Sequence, residues 1–106
     1  MVGKKAKNLE EIVRAVKAFK KRASIEKAYL FGSYATGKAN AESDVDLILL
    51  SSKFKGKTFS ERMRGLWLKW SLRVPTDFIC YTPEEFNRQK KEVSIAREAL
   101  LEGMEI

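Results

Sequence analysis

Three aspartates stand out in the sequence because their spacing could bring carboxylates together. Asp44 and Asp46 are two residues apart in an apolar run typical of a strand, so they project from the same face with Cα atoms about 7 Å apart. Asp77 lies early in a later apolar segment and joins the same face if the two strands pair. Two carboxylates about 4 Å apart repel by roughly 4 kcal/mol at an effective dielectric of about 20, so such a group requires a raised pKa or a cation.

Oxygen-only ligands of this kind favour a hard divalent cation, Mg²⁺ or Mn²⁺. Asp44, Asp46 and Asp77 would be enough to hold two such ions about 3.5–4 Å apart, the arrangement used for in-line displacement at phosphorus. The sequence has no histidine, which excludes Ser-His-Asp and Cys-His nucleophile systems and nearly every catalytic zinc site. Catalysis would therefore depend on carboxylates, Lys, Arg, Ser or Tyr.

A second feature, Gly32-Ser33, follows an apolar segment and is expected to open a short helix. Backbone N–H groups at such a turn, together with the positive end of a helix, favour phosphate. Glycine lets the backbone approach a ligand closely, and the Ser33 hydroxyl is a further donor. A Gly-Ser turn or an Asp-x-Asp pair is weak evidence alone, but the two at this spacing indicate a phosphate and metal site.

A purely structural interpretation stays open for each of these residues. The aspartates could form an exposed acidic edge or a set of caps, and Ser33 could be a helix cap. This interpretation does not explain why acids stand inside an apolar strand.

Strands and helices that would position these residues can be read from the apolar spacing. Apolar residues at helical spacing, with Asn8 as cap, predict a first helix over 9–22. Strands are predicted near 25–31, 44–50 and 76–81. The expected fold class is α+β, with a small mixed β-sheet, helices packed mainly on one face and the acidic site on the open face. The whole chain, 1–106, is interpreted as a single domain.

Two further helices are predicted in the second half of the chain. Apolar residues predict one helix whose stripe is mainly core rather than a platform for nucleic-acid bases: Phe59, Met63, Leu66, Trp67 and Trp70. The sequence Thr82-Pro83-Glu84-Glu85 is typical of a helix start. A final helix is then predicted to carry Val93, Ala96, Ala99 and Leu100 and to end at Gly103.

The spacing of two motifs resembles the signature of the DNA polymerase β-like nucleotidyltransferase superfamily. Gly32-Ser33 is followed by ten residues and then by Asp44-Val45-Asp46. The string GSYATGKANAESDVDLILL is similar to its minimal nucleotidyltransferases, which often form the antitoxin half of HEPN/MNT pairs. The resemblance covers about residues 9–102, including TDFICYTPEEF around the third strand. It implies the polymerase β-like fold and transfer of a nucleoside monophosphate, AMP from ATP being the first choice, to a hydroxyl acceptor with release of pyrophosphate.

The resemblance also implies roles for individual residues. Gly32 and Ser33 would bind the nucleotide phosphates. Asp44 and Asp46 would ligate two Mg²⁺ or Mn²⁺ ions, with Asp77 as third carboxylate and proton acceptor. Many relatives have Arg where this chain has Thr36, so Lys38 is the nearby cation expected to substitute for it. Larger members carry a C-terminal helical domain, and this chain is expected to use a second copy or a partner protein instead.

Charge and cysteine content restrict the location and the partners. A net charge of +7 suits a triphosphate, RNA or an acidic partner protein. The single cysteine, Cys80, cannot form an intrachain disulfide, and no stretch approaches the roughly 20 apolar residues that span a bilayer. The expected location is the cytoplasm, without membrane insertion.

Three functional hypotheses remain open from the sequence. The first is a metal-dependent nucleotidyltransferase that modifies a hydroxyl acceptor, including one on a HEPN partner. The second is a non-catalytic antitoxin that masks a HEPN ribonuclease. The third is a basic module that binds nucleic acid through the segment from Lys53 to Arg73.

Overall fold

Helices and strands alternate through residues 8–106, the part of the chain that the computed structural model describes. In chain order the elements are helix α1 (Leu9–Ala23), strand β1 (Lys27–Phe31), helix α2 (Ser33–Thr36), strand β2 (Val45–Leu50), a 3₁₀ turn (Ser52–Phe54), helices α3 (Phe59–Met63) and α4 (Leu66–Lys69), strand β3 (Thr76–Tyr81), helices α5 (Pro83–Gln89) and α6 (Ile95–Glu102), and strand β4 (Met104–Glu105). Helix α1 begins where Asn8 accepts a hydrogen bond from the Glu10 N–H, as its type predicts.

A mixed sheet with the strand order β3-β2-β1-β4 forms the centre of the fold. β1 pairs antiparallel with β2 and with β4, whereas β2 and β3 run parallel. The three predicted strands are confirmed, with β1 two residues shorter at its start. The structure adds β4, a short edge strand that the sequence analysis did not predict.

The larger core lies between one face of the sheet and helices α1, α3 and α4. Alternate residues of β2, such as Leu47 and Leu49, point to this face. The Phe19 ring of α1 lies 5.2 Å from the Trp70 ring and 5.4 Å from the Phe78 ring, measured between centroids. Most of the helical cover is therefore on one face, as predicted.

Helices α5 and α6 cover part of the opposite face. Tyr29 and Leu50 pack there with Phe86 of α5 and with two alanines of α6. Asp46 is on this same face, since it alternates with Val45 and Leu47. The predicted open face is therefore covered at one end and exposed at the end that carries the acids.

The single helix predicted after residue 57 is wrong, because the chain forms α3 and α4 with a break at Arg64-Gly65. The break rotates the apolar stripe, so Leu66 and Trp70 are buried but Phe59 is 61% and Trp67 50% exposed. Phe59 is thus not a core residue, contrary to the prediction, whereas the half-exposed Trp67 ring still packs on buried Phe78, with 4.6 Å between the ring centroids.

The predicted final helix is also two helices. Thr82 and Glu85 form the expected capping box and Pro83 occupies the first turn of α5, but α5 ends at Gln89. Ser94 then caps α6, and Gly103 follows its last residue as predicted. The correction moves Val93 out of the helix, where it is 96% exposed.

Arg62 connects α3 to β3 and α5. Its guanidinium forms two hydrogen bonds with the Glu85 carboxylate, at 2.5 and 3.0 Å, and donates to the Cys80 carbonyl. These bonds hold the pKa of Glu85 down at about 2.

Among residues 8–106, no helix is both long and apolar enough to cross a bilayer.

Candidate active site

Asp46 and Asp77 lie side by side where β2 and β3 begin. The parallel pairing of these strands places the two residues in direct register. Both strands start in register because Val45 N–H donates to the Pro75 carbonyl at 2.8 Å. The prediction that Asp77 joins the face of Asp46 is therefore met by the geometry.

Asp44 immediately precedes β2 and completes the acidic group. A turn over residues 40–43 delivers it: Asn40 N–H donates to the Ser43 hydroxyl at 2.9 Å, and Glu42 N–H donates to the Asn40 side-chain oxygen at 2.8 Å. Asp44 and Asp77 are exposed, whereas Asp46 is half-buried between them. We call Asp44, Asp46 and Asp77 the acidic group.

Burial and negative neighbours act together on Asp46. Loss of hydration raises the pKa of its carboxyl, and the charges of Asp77 and then Asp44 raise the pKa further, to about 6. A hydrogen bond with Asp77 contributes in the same direction. The site therefore concentrates negative charge that a bound cation would relieve.

Gly32 ends β1 directly against the Asp46 carboxylate. Its backbone has φ 75° and ψ −156°, a conformation that other residues avoid. A Cβ at this position would collide with the Asp46 Oδ2 atom. Glycine is thus required both by the backbone and by the contact with the acid.

Ser33 is the first residue of α2, as the sequence predicts. The ring of Tyr34 is buried in the larger core and anchors this short helix next to β1. Lys38 follows the end of α2, with its N–H bound to the Ser33 carbonyl at 2.9 Å and its side chain exposed. The structure therefore keeps Gly32, Ser33 and Lys38 in one short segment beside the acidic group.

Two contributions to the site were not predicted from the sequence. The Trp70 indole N–H donates to the Thr76 hydroxyl at 3.0 Å, and that hydroxyl donates to the Val74 carbonyl at 2.9 Å, which fixes β3 just before Asp77. In the sequence, the available signal for this contribution was a Thr next to an acid.

Phe31 lies opposite Asp46 across the β1–β2 pair, so its partly exposed ring borders the site. In the sequence, the available signal was its position just before Gly32.

The acidic group fits a hard divalent cation by its donor chemistry. Its ligands are all carboxylate oxygens, and burial together with the negative charges of Asp77 and Asp44 raises the pKa of Asp46. Within residues 8–106 no three acidic or thiol side chains are already arranged as a metal cluster. Asp77 is already within hydrogen-bond reach of Asp46, so an ion at Asp46 could be shared with Asp77.

The clefts of the described part of the chain with the best-defined walls lie away from the acidic group. One, of about 300 Å³, is lined by Tyr29, Leu50 and Phe86 under α5. Another, of about 370 Å³, lies between α3 and α5 near Tyr81. At the acidic group, Asp44 and Asp77 are exposed, and neither residue lines these two clefts.

Comparison with known proteins places the chain among enzymes that transfer nucleotides. The sequence matches the nucleotidyltransferase domain family over residues 9–101. It is similar to a candidate nucleotidyltransferase from Sulfolobus solfataricus, solved at 1.40 Å resolution: the TM-score is 0.56 at 25% identity, over 79% of this chain and 82% of that one. No match was found among curated proteins. The family match includes Gly32, Ser33 and the whole acidic group.

Proposed function

Because the chain belongs to the nucleotidyltransferase domain family, we propose that it transfers a nucleoside monophosphate from an NTP, ATP being the first choice, to a hydroxyl acceptor. The observation that carries the proposal is the in-register pair Asp46 and Asp77, with Gly32 packed against it. The proposed location is the cytoplasm.

In the proposed reaction, Asp44, Asp46 and Asp77 hold two Mg²⁺ or Mn²⁺ ions, which when bound neutralise the triphosphate and acidify the acceptor hydroxyl. Asp77 accepts the proton of that hydroxyl. The acceptor oxygen forms a bond to the α-phosphorus as the bond from this phosphorus to pyrophosphate breaks. Gly32 lets the triphosphate approach the backbone, while the Ser33 hydroxyl and the Lys38 ammonium bind its oxygens.

The proposed acceptor is a hydroxyl on a partner protein of the HEPN class, by the resemblance of the sequence to minimal nucleotidyltransferases. The exposure of Asp44 and Asp77 supports a partner, because a molecule that docks beside them can reach the acidic group. A second copy of the chain could dock there equally well.

Non-catalytic masking of a HEPN ribonuclease is the second candidate function. Two observations favour it: the acidic group is not a ready metal cluster within residues 8–106, and position 36 is Thr where many relatives have Arg. Under this hypothesis, Asp44→Asn and Asp46→Asn variants inhibit the partner as fully as the natural chain.

Calorimetric titration with ATP, GTP, CTP and UTP in Mg²⁺ tests the site. We expect metal-dependent binding of one NTP that the Asp46→Asn variant loses. Glu42→Gln is the matched control, since it removes an exposed charge from the same loop. Absence of NTP binding in the folded natural chain, both alone and with the partner, would contradict the transferase proposal.

Transfer itself is tested with α-³²P-labelled NTP and the co-purified partner. Label that enters the partner with the natural chain but not with Asp46→Asn supports nucleotidyl transfer. Full inhibition of the partner without any incorporated label would support masking instead.

A further inference from the structure

Three lysines from separate elements meet on the side of the molecule away from the acidic group. Lys53 lies in the 3₁₀ turn, Lys57 in the loop before α3 and Lys69 at the end of α4. We call these residues the basic cluster. The segment 53–73 around them carries seven basic residues and one acidic residue.

Carbonyl groups rather than carboxylates hold the basic cluster together. The Lys53 ammonium donates to the Ala23 carbonyl and lies 5.7 Å from the centre of the Phe54 ring. Arg22 donates to the Lys69 carbonyl at 2.9 and 3.1 Å. The bond to the Ala23 carbonyl holds the Lys53 ammonium in place without neutralising its charge.

The positive charges of Lys57 and Lys69 act on the Lys53 ammonium. Burial lowers the pKa of Lys53, and the positive charges of Lys69 and Lys57 lower the pKa further. In the part of the chain described, no carboxylate forms an ion pair with any of the three lysines, and Glu85 is bound to Arg62. Glu61 is an acid near Lys57, and its pKa is lowered mainly by its hydrogen bonds with Thr58 and then by the charges of Arg64 and Lys57. An anion bound here would relieve this repulsion.

A cleft of about 370 Å³ extends the basic cluster toward α5. Lys57 belongs to both, and Arg88 lies on the other side of the cleft. Two aromatic rings line it: Phe59 is 61% exposed and Tyr81 is half-buried. The cleft thus offers exposed ring faces between positive charges.

From this juxtaposition we propose that the basic cluster and the α3–α5 cleft bind single-stranded nucleic acid. Lys53, Lys57, Lys69 and Arg88 contact the phosphates, and a base stacks on Phe59. Grooves that bind single strands combine these two features, positive charge along the backbone and aromatic side chains for the bases.

The exposed rings favour a nucleic acid over an acidic protein. An acidic peptide would use the lysines but has no need of a ring such as Phe59 held open between them, whereas each base has a π face that stacks on it. The cleft lies at the end of β3, four residues after Asp77, or about 13 Å along the strand.

Fluorescence anisotropy with a labelled 12-nucleotide single-stranded RNA tests this proposal. EDTA is present, so the result does not depend on nucleotide transfer or on a metal. We expect the double variant Lys57→Glu/Arg88→Glu to lose at least about tenfold in affinity and to flatten the salt dependence by about 1.4 in the slope of log K against log salt. Phe59→Ala should weaken binding about 5- to 150-fold, which corresponds to the roughly 1–3 kcal/mol typical for the loss of one stacked base.

The matched control is Arg14→Glu/Lys17→Glu, which makes the same charge change at exposed positions of α1. We expect it to retain most of the affinity. The proposal would be overturned if both double variants lost affinity for the RNA equally, or if the natural chain did not bind the RNA at 50 mM KCl. Unchanged affinity of Phe59→Ala, or tighter binding of duplex RNA or of polyglutamate than of the single strand, would also overturn it in favour of a general polyanion surface. Circular dichroism confirms that each variant is folded.

Discussion

Asp46 is the residue on which the charge of the acidic group converges. Its pKa of about 6 lies above the ordinary value near 3.8. Once ionised, Asp46 therefore destabilises the folded state. This destabilisation is absent below about pH 4, increases as the pH rises, and is complete above about pH 6. A cation should reverse this effect.

We therefore predict that Asp46→Asn stabilises the metal-free protein at pH 8 and changes little at pH 4. The gain should be a few degrees in melting temperature, because a carboxyl that is partly open to water is screened. Thermal melts in EDTA across this pH range test the prediction. A gain in melting temperature that is equal at both pH values would contradict it. Addition of Mg²⁺ should stabilise the natural chain and not the variant.

Glu85 shows the opposite behaviour. Its bonds to Arg62 hold its pKa at about 2, below the ordinary 4.5. The stabilisation is fully present above about pH 4.5 and is lost as the pH falls toward 2. We predict that Glu85→Gln lowers the unfolding free energy at pH 7 by about 2 kcal/mol, the typical value of a charged hydrogen-bonded pair. Denaturant unfolding measures it.

Glutamine is the informative substitution at position 85 because it can still accept the Thr82 N–H bond of the capping box. The Glu61→Gln variant, in the equivalent capping box of α3, is the control. If Glu85→Gln lowered the unfolding free energy no more than Glu61→Gln does, the ion pair between Arg62 and Glu85 would contribute little to stability.

At the scale of elements, the turn from β1 into α2 depends on Gly32. We predict that Gly32→Ala costs at least about 2 kcal/mol of stability and abolishes NTP binding, because both its backbone and its Cβ conflict with the structure. Gly37→Ala is the matched control: φ is 76° there as well, but a Cβ meets no atom within 4 Å. We expect it to cost about 1–2 kcal/mol and to keep NTP binding. Equal effects of the two on NTP binding would exclude a special role for Gly32.

The start of β3 depends on the bond between Trp70 and Thr76. We predict that Thr76→Val, which keeps the shape but removes the hydroxyl, costs about 1–3 kcal/mol because the buried indole N–H loses its partner. Calorimetry should also show weaker Mg²⁺-dependent NTP binding, since Asp77 is the next residue. Thr76→Ser should restore both. Weakened unfolding stability with unchanged NTP binding would mean that this bond does not position Asp77.

The strands were predictable from the sequence because each is an apolar run with a defined face. The position of the acidic group could be inferred from the alternation of side chains along a strand, which places Asp44, Asp46 and Asp77 together once β2 and β3 pair. The distances between their carboxylates could not, because those depend on side-chain rotation and on a bound ion.

The helix breaks and β4 were not predictable in the same way. Apolar spacing continues across Arg64-Gly65, so the pattern did not show that α3 ends there. The two residues of β4 are too few to show a period of two. Its pairing with β1 is decided by packing in three dimensions.

At the scale of the molecule, the net charge of +7 is concentrated rather than spread. Salt should therefore stabilise the fold, because it screens repulsion within the basic cluster more than it weakens attraction. We predict that the melting temperature rises by a few degrees between 50 and 300 mM KCl. The Lys69→Gln variant should show a smaller rise, and Lys17→Gln the same rise as the natural chain. A fall with salt would contradict the prediction.

The parallel pairing of β2 and β3 also has a consequence for the order of folding. Gly32 and Asp46 meet through the β1–β2 hairpin, whose paired ends Phe31 and Asp46 are close in sequence. Asp77 reaches Asp46 only when the chain closes a much longer loop that includes α3 and α4. Loop closure of this kind is slow and costs entropy, and here it also brings two like charges together. The contact between Gly32 and Asp46 can thus form early, whereas Asp77 arrives with the non-local step of folding.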